Sequence, residues 1–307
     1  MSGFIQQLLN GLSVGSIYAL IALGYTMVYG VLRLINFAHG DVYMVGAMTG
    51  IIVSGQATRF EFIKSLPPSV QPLMLFLIIL MSSMLICALL GYLIERFAYR
   101  PLRKAPKITL LITAIGVSLL IQYGGQSRLV FGPNPRVFPD IIPSYNLIPS
   151  ISFSNIDALI LGLSLVFMGV LFWIVQKTKL GRAMRAVSEN PTVASLMGIN
   201  VNKVISFTFI LGSVLAACAG ILVGLKNHQA DPLMGMQAGI KAFAAAVLGG
   251  IGSIPGAVIG GLIIGISEAL VKSIDSAYAD AISFIILVII LLVKPSGIMG
   301  KHQIEKV

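Results

Sequence analysis

"AFAAAVLGGIGSIPGAVIGGLIIGISEAL", residues 242–270, carries one ionisable residue, Glu268, and is too long for a single membrane span. About 20 apolar residues in a helix suffice to cross roughly 30 Å of hydrocarbon. Its centre holds Gly249, Gly250, Gly252 and Pro255. A glycine-rich break with proline at a new helix start predicts two helical pieces meeting within the membrane. Gly256/Gly260 and Gly261/Gly265 then have the small-xxx-small spacing that lets helices approach closely. Two roles fit these residues: tight packing alone, or lining a passage.

Working outward, apolar runs recur at roughly 12–32, 42–54, 73–94, 108–123, 158–176, 204–225 and 281–293. The chain has 307 residues, 57% hydrophobic and 10% charged, with a mean hydropathy of +0.95. Soluble domains carry roughly 25% charged residues, so the surface cannot be wet all round. Continuous runs, unlike the alternating strands of a barrel, satisfy their backbone in lipid as helices. The expected fold is an all-α polytopic integral membrane protein: about eight hydrophobic segments, some broken into half helices, forming one domain over 1–307.

The net charge of +10 gathers in three segments, with 13 of 21 Lys and Arg at 95–107, 177–203 and 294–307. Such clusters at the ends of spans are the positive-inside signal, so the charge marks topology and no nucleic-acid partner is expected. All three segments read as cytoplasmic, the C-terminus included, and counting back places the N-terminus outside if the first two apolar segments both cross. The segment 125–157, rich in Pro, Ser and Asn, reads as an external loop that either contacts a partner or simply covers the surface. "MSGFIQQLLNGLSVGS" lacks a basic leader region and reads as a retained first span. Cys87 and Cys218 lie in separate runs and read as small apolar residues, not as a disulfide or metal pair.

A second break, "LRLINFAHGDVYMVG" (32–46), places Asn36, His39 and Asp41 beside the first run. Polar and ionisable groups in spans mark substrate or ion paths, so these three join Gly249, Gly250, Gly252 and Pro255 as candidates for a translocation pathway. The plainer reading sets His39, Asp41 and Glu268 at the membrane edge, or has His39 and Asp41 cap a helix beginning near residue 42. No phosphate-cradling G-x-x-x-x-G-K-[ST] occurs, nor H-E-x-x-H or G-x-S-x-G, and no metal site is expected. Nothing reads as catalytic.

"SENPTVASLMGIN", residues 188–200, sits between Arg182, Arg185 and Lys203. Following Glu189, Asn190 is a favoured N-cap, Pro191 fits the first helical position, and Gly198 is a natural stop. Val193, Leu196 and Met197 then form one apolar face over a helix at 191–197, with Ala194 between them. A helix of two turns is unstable alone in water, so it must lie on lipid or in a protein groove. The groove is the preferred reading.

These residues also carry a resemblance. "GLSVGSIYALIALGYTMVYGVLRLINFAHGDVYMVGA", "YRPLR", "GRAMRAVSENPTVASLMGINV" and "KAFAAAVLGGIGSIPGAVIGGLIIG" resemble the branched-chain amino-acid permeases of ABC importers, end to end. "ASLMG" (194–198) is similar to the loop with which such permeases grip their ATPases, although the fuller Glu-Ala-Ala form is absent. The resemblance implies the ABC importer permease fold, uptake of leucine, isoleucine and valine across a bacterial inner membrane, and no cofactor on this chain. It implies partners as well: a second homologous permease of the LivM type, two ATPase subunits holding ATP and Mg, and a periplasmic amino-acid-binding protein. Residue reading alone leaves open a self-contained ion-coupled carrier, which needs coupling-ion ligands at mid-membrane, and a membrane enzyme, which needs a catalytic constellation.

Overall fold

Residues 2–103, 105–148 and 152–300 are described by the computed structural model; the basic tail from Lys301 onward lies outside them. The helices are α1 (Ser2–Leu32), α2 (His39–Ala57), α3 (Glu61–Lys64), α4 (Gln71–Leu93), α5 (Lys107–Gly125), α6 (Asn155–Lys177), α7 (Lys179–Glu189), α8 (Pro191–Leu196), α9 (Val201–Asn227), α10 (Met234–Gly249), α11 (Ile254–Lys272) and α12 (Ala279–Val293). A π-helical turn, Ile94–Tyr99, prolongs α4. Seven of the described helical stretches are long and apolar enough to cross a membrane. The chain is a polytopic, all-α membrane protein.

The spans are not equivalent. In the most apolar window of α1, 83% of residues are buried, and in α9 78%, against 22% in α5 and 11% in α12. Thus α1 and α9 are central posts, while the outer helices turn leucine, isoleucine and phenylalanine outward, where only lipid or another apolar surface suits them.

Small residues make the centre possible. Between helices already surrounded by lipid, packing and not hydrophobicity drives association, and small residues allow the closest approach. On α11, a Cβ at Gly261 would lie 2.6 Å from Ala19 Cα, and one at Gly265 would strike Gly15, so this pair faces α1. Gly256 and Gly260 instead abut Gly249 and Ala245 of α10. The two small-xxx-small pairs therefore serve two different neighbours.

The run 242–270 divides as expected, with α10 ending at Gly249 and α11 starting at Ile254. Gly250 (φ 101°) and Gly252 (φ 95°) turn the chain through backbone angles that side-chain-bearing residues rarely adopt. But α10 starts at Met234, eight residues before the apolar run, because Lys241 lies inside it, neutralised by partners.

The second break, between α1 and α2, is repeated between α9 and α10. Helix α1 ends at Leu32, Arg33 is left-handed (φ 53°), and α2 begins at His39; helix α9 ends at Asn227, His228 is left-handed (φ 54°), and α10 begins at Met234. The spacing from left-handed residue to new helix is the same. The two units run in opposite directions. Gln6, near the start of α1, donates to the carbonyl of Ser152, whereas Arg33, past its end, reaches Ser188 O. At the far end of α9, Lys226 pairs with Asp157. This is the arrangement of an inverted repeat.

Of the expected external loop 125–157, Gly125 ends α5, residues 126–148 and 152–154 form loop with short strands, and α6 takes over at Asn155. Strand β1 (Arg136–Val137) and β2 (Asn146–Ile148) precede β3 (Phe153–Ser154), and β4 (Gln229–Ala230) follows α9. The antiparallel pair β1·β4 pins the loop to the α9–α10 break, while β2·β3 closes a separate pair just before α6. Phe138, 1% exposed, fills the space left by Gly50 and Gly224.

Candidate functional site

Helices α2 and α10 both begin inside the protein, and their first turns cross. A Cβ at Gly235 would lie 2.7 Å from Gly40 O, and one at Gly40 would strike Gly235 O in return. From this crossing α2 runs toward β1 and the strand side, Gly50 lying against Phe138. Helix α10 runs the other way, to Gly249, whose carbonyl accepts from Met299 N.

Asn36, His39 and Asp41 meet at this point, 3%, 2% and 1% exposed. Neither His39 nor Asp41 serves as a helix cap, which corrects that one of their expected roles. The helix starts at His39, three residues before the expected start; its N-cap is Ala38, and no side chain caps it. Asp41 Oδ1 instead accepts from Gln122 Nε2 of α5 (2.8 Å), because the hydrogen bond a buried carboxylate needs comes from a neighbouring helix. Tyr99 OH donates to Asn36 Oδ1 (2.9 Å), and the Tyr25 ring meets His39 edge-on at 4.9 Å. His39 Nε2 and Asp41 Oδ2 have no partner among the described residues.

The glycine break lies apart from this cluster, toward α7. A cleft of about 90 Å³ separates Gly252 and Ile254 from Gly30, Arg185 and Ser188. Gly249 and Gly250 are packed against Gly256 and Gly300. Gly252 is exposed with nothing near its Cβ position, so it does not pack two helix ends together. Pro255 is exposed at the second position of α11, and Ser253 accepts from Gly256 N as the cap. The expected passage residues thus fall into two groups that do not touch.

Helix α8 forms as its sequence dictates. Asn190 Oδ1 accepts from Thr192 N and Val193 N, and Pro191 occupies the first position. Gly198 (φ 81°) closes it: its N–H donates to Ser195 O and that of Ile199 to Ala194 O, the paired bonds of a Schellman motif. Ala194 is buried, while Val193, Leu196 and Met197 are 52%, 82% and 78% exposed. Glu189, the last residue of α7, is exposed as well. An apolar face stands open on a rigid, capped helix.

The family described as the permease component of branched-chain amino acid transport systems matches residues 7–291. The chain belongs to this family. It is 40% identical over 99% of its length to the high-affinity branched-chain amino acid transport system permease protein LivH of Salmonella typhimurium, covering 98% of that protein. Identity and coverage are the same for BraD of Pseudomonas aeruginosa and for LivH of Escherichia coli K12. No solved structure matches the chain.

The permease also contains two ionic clusters not singled out from its sequence. Lys241 Nζ, in α10, donates to Glu268 (2.8 Å), Asp280 (2.6 Å) and Tyr18 OH (3.3 Å), joining α10, α11, α12 and α1. Glu268, near the end of α11, is therefore an ion-pair partner. Glu95, 0% exposed on the π-helical turn, pairs with Arg100 and Arg103 and accepts from Ser206 Oγ of α9 (2.6 Å). Its hydrogen bond holds the Arg100 guanidinium above its usual range, while burial draws Arg103 down. A lone cation inside an apolar helix and a lone acid in a basic segment were the sequence signals.

Proposed function

We propose that this permease translocates leucine, isoleucine and valine across a bacterial inner membrane as one subunit of an ABC importer, energised by separate subunits. The supporting observation is the open face of Val193, Leu196 and Met197 on a capped helix, in a chain of this family. Water is a poor cover for three apolar side chains on a rigid helix; a groove on an ATPase removes them from it. The Schellman closure and the buried Ala194 fix α8 to the spans, so a push on its outer face is carried into α9.

The full reading is one permease domain over 1–307, with 125–157 on the periplasmic side and 177–203, including the coupling helix at 191–197, in the cytoplasm. The N-terminus is periplasmic and the C-terminus cytoplasmic. A homologous permease of the LivM type completes the membrane part, two ATPase subunits hold ATP and Mg, and a periplasmic binding protein delivers the amino acid to the outer loop. The permease itself needs no cofactor. Inverted half-helices crossing at Gly40/Gly235 supply two arrangements of one path, biased by hydrolysis elsewhere.

The test is purification in mild detergent, with ATPase retention and leucine uptake in vesicles measured on Leu196→Asp. Charge on a docked face must be desolvated, so retention and uptake should both fall. Retention and uptake like the parent would overturn the docking role of α8. Leucine uptake by the permease alone, without ATP, would instead identify an ion-coupled carrier.

A further inference from the structure

We infer that the permease holds an anionic phospholipid by its phosphodiester in a pocket between the end of α4 and the start of α9. The pocket, about 450 Å³, is lined by Tyr92, Arg100, Asn202, Lys203, Ser206 and Phe207. It lies where two candidate spans, Gln71–Tyr99 and Val201–Asn227, reach the edge of the apolar region.

Charge selects the headgroup. Around the pocket one carboxylate, Glu95, faces three cations, Arg100, Arg103 and Lys203. Glu95 is fully buried and already bound by both arginines and Ser206. Lys203 is exposed and makes no ion pair among the described residues. The surplus positive charge, on Arg100 and Lys203, stands beside the side-chain amide of Asn202, whose NH2 completes a donor set suited to phosphate oxygens. Basic pockets between spans at a membrane surface hold lipid headgroups for this reason.

The apolar side selects a lipid over a soluble anion. Met81, Leu85, Leu89 and Tyr92 recur every three or four residues on α4, 62%, 73%, 57% and 38% exposed. They form a stripe leading away from the pocket along the span, long enough for an acyl chain. A soluble phosphate leaves that stripe bare; a lipid covers it and places its charge beside Lys203.

The site needs only that this end of α4 and α9 lies at a membrane surface, and its test is independent of the transported substrate. The purified permease complex is delipidated, reloaded with phosphatidylglycerol or phosphatidylcholine of matched chains, and weighed by native mass spectrometry. Phosphatidylglycerol should be retained preferentially. Lys203→Gln, at an exposed position that leaves Glu95 paired, should weaken retention about fivefold, the worth of one basic residue at a membrane surface. Arg182→Gln, an exposed charge outside the pocket, should not. Equal retention of the two lipids, or an unaffected Lys203→Gln, overturns the site. Displacement by soluble glycerophosphoglycerol at the lipid's own concentration would make it a site for free phosphate esters. Loss of ATPase binding in Lys203→Gln with lipid retention unchanged would make it a protein contact.

Discussion

Gly40 and Gly235 abut backbone to backbone at the first turns of α2 and α10, and neither has room for a Cβ against the other's carbonyl oxygen. The contact is reciprocal, as expected where two inverted units cross. It fixes how closely the half-helices approach and leaves no slack for a side chain.

Gly235→Ala should therefore destabilise the permease by about 1–3 kcal/mol, the usual cost of overpacking a tight core. Gly235→Leu should abolish folding. Thermal unfolding of the purified protein is the measurement. A midpoint for Gly235→Ala equal to the parent's would show that the crossing is loose.

The break between α10 and α11 separates two costs. Gly252 has a positive φ but open space, so Gly252→Leu should cost about 1–3 kcal/mol of backbone strain and still assemble. Gly250 has the same strain and would also collide with the chain at Gly300, so Gly250→Leu should be much worse. Comparing folded yield by size exclusion ranks the two, and equal yields would contradict the packing described.

Lys241 is 8% exposed at its side chain and serves two carboxylates. Lys241→Met should destabilise by about 3–5 kcal/mol, since it strands partly buried charge, with the exposure of Asp280 (57%) placing it at the lower end. Adding Glu268→Gln should recover part of the loss. A double mutant no more stable than Lys241→Met would show that the two residues are not coupled.

Gly198 has nothing near its Cβ position but a φ of 81°, so only conformation is at stake there. Gly198→Val should unwind the end of α8 and lower ATPase retention, while Gly198→Asn, which tolerates that conformation, should keep most of it. If valine and asparagine behave alike, the closure does not matter for docking.

Gln6 and Ser152 share one face of the permease, and Arg33 and Ser188 the other. A reporter near Asn134 should read periplasm, and reporters near Arg103 or Arg185 should read cytoplasm. A cytoplasmic signal at Asn134 would invert the whole orientation.

Local chemistry in the sequence determined a good deal. Apolar runs against sparse charge made membrane helices obligatory, because lipid offers backbone groups no other partner. Gly249, Gly250, Gly252 and Pro255 marked the break in 242–270, and Asn190, Pro191 and Gly198 marked both ends of α8, since caps and stops act within a few residues. What lay beyond the sequence depends on contacts between distant residues. Hydropathy stopped α10 at residue 242 because it registers the charge of Lys241 and not the carboxylates that neutralise it. It left His39 and Asp41 between a path and an edge or cap because the helix from which Gln122 meets Asp41 follows some 80 residues later. The pairing of Gly40 with Gly235, and the repeat that produces it, appear only when α1–α2 and α9–α10 are laid across each other. Backbone approach is a property of two segments at once, and neither sequence alone contains the other's position.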